Sequence, residues 1–120
     1  MADRTAPTST LAGCAFLASA TLAFADPTGH YQVDGVNPDG TTYKAMVLVA
    51  KIGDTFSITY TMPNDAVVKG TAIGDDTVLS LGYSSAGDTG VALMYRDGDR
   101  WQGVWTYLGA KKLGTETWTE

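Results

Sequence analysis

Short runs of alternating apolar and polar residues, each cut off by a cluster of Gly, Asp, Asn or Pro, restrict this chain to an antiparallel β-fold. Phe56, Ile58, Tyr60 and Met62 alternate with Ser57, Thr59 and Thr61, the period of a half-buried strand. Leu79, Leu81 and Tyr83 share one side of a second run, with Ser80 and Gly82 opposite. Trp101, Gly103, Trp105 and Tyr107 line one side of a third, and Gln102 and Thr106 face away. Nothing after residue 25 has helical periodicity. Less regular runs at 43–52, 67–73 and 91–96, a short first strand near 30–33 and a last one near 114–119 bring the count to about eight. Residues 45–50 are apolar on both faces, which reads as a strand covered on both sides, with an interface as the alternative.

The punctuation carries its own chemistry. Asn37-Pro38-Asp39-Gly40 suits a type I turn, in which Asn accepts backbone bonds, Pro presets φ and Gly takes the left-handed position. Gly53-Asp54, Asn64-Asp65, Gly74-Asp75-Asp76, Gly87-Asp88 and Asp97-Gly98-Asp99 mark the later reversals. Loops this short join strands that neighbour each other in sequence, which makes the pairing antiparallel. An up-and-down meander leaves two exposed edges, and closure into a small barrel removes both. The expected architecture is therefore a closed all-β barrel. Its alternative is an open row of hairpins, because Trp101-x-Gly103-x-Trp105 followed by Gly109 and Gly114 resembles a MORN-type repeat. That echo occurs clearly once, and such arrays need several copies to bury a core.

Residues 1–25 read as an export signal. Arg4 precedes an apolar run from Leu11 to Phe24, and the small residues Ala23 and Ala25 fit the subsites of a signal peptidase cutting before Asp26. The run is too short to span a bilayer. Residues 26–120 then form a single domain in the periplasm or the medium. The one cysteine, Cys14, lies inside the signal, so no disulfide supports the mature domain. Leu11-Ala12-Gly13-Cys14 spells a lipoprotein-type box, but such a box closes an apolar run and none precedes it here. Thirteen acidic residues against eight basic ones give a net charge of −5, which argues against a nucleic-acid partner. Lys111-Lys112, the only basic pair after residue 25, falls where a hairpin loop is expected.

Few residues invite chemistry. His30 is the only histidine; with no second His and no mature Cys it cannot complete a metal site, and it reads as an exposed strand-end residue. No serine sits in a nucleophile elbow. Asp97-Gly98-Asp99 and Gly74-Asp75-Asp76 have the oxygens for a calcium ion but neither the length nor the closing Glu of an EF-hand loop, so they read as turns. Glu116 is the acid outside the turns, on the same strand side as Trp118. Facing inward it would anchor an aromatic cavity; the outward, solvated reading stands first. The aromatic distribution is the sharpest signal. All three Trp, at 101, 105 and 118, fall in the last 20 residues, and Trp and Tyr dominate both binding hot spots and small cores. Trp101 and Trp105 read as core, and Trp118, near the chain end, as exposed. The candidate binding residues are Trp101, Trp105, Tyr107 and Trp118, with no catalytic residue, metal or cofactor.

The pattern Gly29-His30-Tyr31-Gln32-Val33-Asp34-Gly35-x-Asn37-Pro38-Asp39-Gly40, with Tyr43, Gly90-Val91-Ala92, Tyr95, Trp101-x-Gly103-Val104-Trp105-Thr106 and Gly114-Thr115-Glu116-x-Trp118-Thr119, resembles a group of small exported bacterial β-proteins. Some members carry the label fibronectin-binding protein. The group's usual Gly is replaced here by Ala45. The resemblance implies a non-enzymatic exported module that binds a matrix or envelope protein. A weaker likeness, in strand count and the Trp-rich strand, is to avidin-like and small lipocalin-like barrels. Separately, a barrel interior that side chains do not fill can hold one small apolar ligand, with Trp101, Trp105 and Tyr107 as the expected lining. An inhibitor that plugs a hydrolase with Asp97-Gly98-Asp99 is a related expectation.

Overall fold

Eight runs of extended chain, none longer than eleven residues, pair with their sequence neighbours in a computed structural model that describes residues 26–120. They are β1 (Gly29–Val36), β2 (Thr42–Ile52), β3 (Thr55–Thr61), β4 (Val67–Gly74), β5 (Val78–Ser85), β6 (Asp88–Asp97), β7 (Arg100–Tyr107) and β8 (Gly114–Thr119). All pairs are antiparallel, and β8 returns to β1, from Gln32 opposite Thr119 to Val36 opposite Thr115. The sheet is a closed up-and-down barrel. That closure overturns the open MORN-like row: the two edges such a row would expose bond to each other instead. The segment read as an export signal, with Cys14, Ala23 and Ala25, lies outside the described residues.

Turn chemistry sets the register. Gly40 N–H donates to the Asn37 carbonyl at 2.8 Å, and Gly40 has φ +91°, as the turn reading requires. The accepting side chain is not Asn37, however. Asp39 Oδ1 accepts from the Thr41 amide and hydroxyl, while Asn37 Nδ2 donates to Thr41 Oγ1. Asp75 does the same work three hairpins on, between β4 and β5, accepting from the Thr77 and Val78 amides and the Thr77 hydroxyl. Those bonds hold the Asp39 and Asp75 carboxyls below the usual Asp range.

β1 is longer than the sequence suggests, running on through Asp34, Gly35 and Val36. Gly35 is an inward strand residue covered by the Tyr43 ring. β2 corrects the reading of 45–50 as covered on both sides. Ala45, Val47 and Val49 are buried, but Met46 and Leu48 are exposed on the outside. Among the described residues nothing packs on the outer face of this single-layer barrel.

The inward residues fill one end of the barrel. Tyr31, Val49, Phe56, Leu79, Met94, Trp101 and Trp118 are all buried there. Pro27 covers this end, its carbonyl accepting from the Tyr31 hydroxyl at 2.8 Å. The Arg96 guanidinium lies 4.7 Å from the centre of the Trp101 ring. Eight strands enclose a space that side chains can just fill, or that holds one small ligand where they do not. Here the first condition holds at one end and the second at the other.

Candidate functional site

Four hairpin loops, 37–41, 62–66, 86–87 and 108–113, surround the opposite end, where the barrel is open. The cavity beneath them has a volume of about 210 Å³, and its walls include Tyr43, Tyr60, Tyr83, Trp105, Ala92 and Glu116. Met62 and Val68 lie at its mouth.

Glycines make the room. Gly35 pairs directly with Tyr43, Gly90 with Tyr83, and Gly114 with Trp105. In each pair the ring lies over the glycine. A Cβ at Gly35 would fall 2.0 Å from Tyr43 Cζ, one at Gly90 2.2 Å from Tyr83 Cζ, and one at Gly114 2.5 Å from Trp105 Cε2. Laid against the wall in this way, the aromatic rings line the cavity without filling it. Trp105 stands between two tyrosines, edge-on to Tyr43 (centroids 6.0 Å, 83°) and to Tyr83 (6.5 Å, 63°). The three rings form sides of a box.

Glu116 lies at the floor. It is 7% exposed and is the one buried charged residue among the described residues. Its Oε2 accepts from the Tyr43 hydroxyl at 2.5 Å; its Oε1 accepts from the Tyr60 hydroxyl at 2.8 Å and from Trp118 Nε1 at 2.9 Å. No lysine or arginine is among the cavity's lining residues, so three neutral donors hold the carboxylate. Burial first, and then the Glu116 charge, push the Tyr43 and Tyr60 hydroxyls well above the usual tyrosine range. The same two causes push Tyr83 up to about 12.

These positions correct four expectations. Glu116 faces inward, because its strand buries Glu116 and Trp118 on one side and gives Thr115, Thr117 and Thr119 to the other. Trp118 is therefore fully buried despite its place near the chain end; β8 is the strand that closes the barrel. Trp101 is also fully buried, at the filled end, and does not line the cavity. Tyr107 shares the inward face of β7 but sits past the rim, 40% exposed, with its ring 6.1 Å from Trp105. Of the four candidates only Trp105 lines the cavity. Tyr43, Tyr60 and Tyr83 were missed as site residues. For Tyr43 and Tyr83 the signal is the pairing of an inward tyrosine with an inward glycine across a hairpin; Tyr60 pairs with Val47 and Val68 and carries no such mark.

The other candidates resolve simply. His30 is exposed on β1. Asp97-Gly98-Asp99 turns the chain at the filled end, where Asp97 accepts from Gln102 and Arg100. Among the described residues no three His, Cys, Asp or Glu side chains are grouped to hold a metal ion. Lys111 and Lys112 are exposed in the loop before β8.

No protein-family profile and no curated protein sequence matches the chain. Among solved structures it is similar to a de novo designed fluorescence-activating β-barrel. The two share 12% identity and a TM-score of 0.56, over 78% of this chain and 92% of the designed one. At that identity the likeness establishes the fold: this chain is a small closed antiparallel β-barrel.

Proposed function

We propose that this protein is a non-enzymatic binding barrel, working outside the cytoplasm, that holds one small and largely apolar ligand in its open end. The observation that carries this reading is the cavity itself, walled by aromatic rings over a single anchored carboxylate. Small-molecule sites have this composition: apolar walls with a few fixed polar groups. An apolar cavity of about 150 Å³ holds benzene, so 210 Å³ admits one ring with a short substituent. Tyr43, Tyr60 and Glu116 are fixed by mutual hydrogen bonds, so little ordering remains to be done on binding. The designed barrel's description as fluorescence-activating is a statement about that protein; what it lends here is the precedent of a barrel of similar span.

The test is a fragment titration followed by amide and indole NMR shifts. Shifts should gather on Trp105, Ala92, Tyr83 and Tyr43, and should vanish in Ala92→Phe, which fills the cavity from its wall. Shifts confined to the exposed apolar stripe of β6, Val91, Leu93 and Tyr95, would sink the cavity reading. They would favour instead the protein-binding module that the resemblance implies.

A further inference from the structure

We propose that the ligand of this cavity is a small protonated amine bearing one apolar or aromatic group; the inference rests on the cavity reading above and specifies its chemistry. The argument starts from where the protons are. A tyrosine hydroxyl has one hydrogen to give, and Tyr43 and Tyr60 both give theirs to Glu116. Both therefore present only lone pairs to anything else. Glu116 Oε1 already accepts twice, but Oε2 accepts only from Tyr43, which leaves it room for another donor. The Trp105 N–H is directed to the Thr115 carbonyl at 3.3 Å, and Asn37, in the loop at the mouth, gives one of its two amide hydrogens to Thr41 Oγ1. The Tyr83 hydroxyl, free to rotate, and the Asn37 amide are the remaining groups that can both donate and accept. The polar lining thus consists mainly of acceptors. It matches a ligand that donates and mismatches one that brings its own negative charge.

The electrostatics point the same way. The Glu116 charge is buried among neutral donors, with no lysine or arginine on the cavity wall. The rings around it carry negative faces that attract a cation. Tyr43, Trp105 and Tyr83 stand nearly perpendicular in sequence around one side of the box, the arrangement by which aromatic cages hold ammonium groups. An ammonium N–H donating to Glu116 Oε2 would make a charge-assisted bond at the buried floor of the cavity. The rest of the volume takes the apolar group. A carboxylate or phosphate of the same size would meet the Glu116 charge and the tyrosine lone pairs, and be rejected.

The experiment is calorimetric titration of the full chain at neutral pH with three probes of one shape: 2-phenylethylamine, 2-phenylethanol and phenylacetate. The amine should bind about tenfold or more tighter than the alcohol, the difference between a charge-assisted and a neutral hydrogen bond. Phenylacetate should bind weakest. In Glu116→Gln the amine's advantage over the alcohol should disappear. If that variant fails to fold, the order of the three probes on the natural chain decides the matter. Equal binding of amine and alcohol, or a preference for phenylacetate, would overturn the amine assignment and leave the cavity reading standing. No binding of any probe, with no shift at Trp105, would remove both.

Discussion

Among the described residues Glu116 has only neutral partners, and its three donors come from three different strands. Tyr43 is on β2, Tyr60 on β3 and Trp118 on β8 itself. Hydrogen bonds to a charged group contribute about 1.5–3 kcal/mol each, and losing one here leaves a buried charge less well held. Two tryptophans allow this to be isolated. Trp101 and Trp118 are both 0% exposed and face each other across β7 and β8. Trp118 Nε1 donates to Glu116, whereas the Trp101 N–H finds no well-formed hydrogen bond among the described residues, only the nearby oxygen of the Tyr31 hydroxyl, whose own proton goes to the Pro27 carbonyl. Replacing either by Phe removes the same ring volume. Trp118→Phe should therefore destabilise more than Trp101→Phe, by about 2 kcal/mol, read from urea midpoints at unchanged m-value. Equal losses would show that the bond to Glu116 contributes nothing net.

At the level of strands and hairpins, two kinds of inward glycine do different work. Gly90 leaves room for the Tyr83 ring, whose outer atoms a Cβ would strike. Gly103 leaves room for the main chain of β6: a Cβ there would fall 1.9 Å from the Leu93 carbonyl oxygen. A ring tip beside the open cavity moves cheaply, and a paired strand does not. Gly90→Ala should change stability by less than about 1 kcal/mol, yet weaken ligand binding by displacing Tyr83 from the cavity wall. Gly103→Ala should cost about 3 kcal/mol, as overpacking against backbone does. Thermal unfolding together with fragment titration of both variants separates the two roles. The strands themselves were plain in the sequence, because β3, β5 and β7 alternate cleanly and Asp, Gly and Asn punctuate them. The glycine–aromatic pairs were not, because which residue faces which across a hairpin depends on the exact number of loop residues. The sidedness of β8 was also hidden. Glu116 and Trp118 share a face, and a charge beside a tryptophan gives no direction until Tyr43 and Tyr60 supply the donors.

For the molecule as a whole, the same cluster ties the cavity to the stability of the barrel at high pH. Tyr43, Tyr60 and Tyr83 are all raised above the ordinary tyrosine value of 10.0, by burial first and then by the Glu116 charge. Above about pH 10 the unfolded chain releases these protons while the folded barrel keeps them. Stability contributed by the raised groups is thus complete below pH 10 and falls as pH climbs, through about 12 for Tyr83 and further for the other two. Tyr60, the most deeply buried, sets a slope of about 1.4 kcal/mol per pH unit. Tyr43 and Tyr83 add less, because each is partly open to solvent. Urea midpoints from about pH 9 to pH 11.5 should fall steeply for the natural chain and more gently for Tyr60→Phe. Tyrosinate absorbance from the buried rings should rise only as the barrel unfolds. Identical limbs in the two proteins would mean that the Tyr60 hydroxyl ionises inside the folded barrel. The floor of the cavity would then be open to water, and the fixed acceptor lining that selects the ligand could not be maintained.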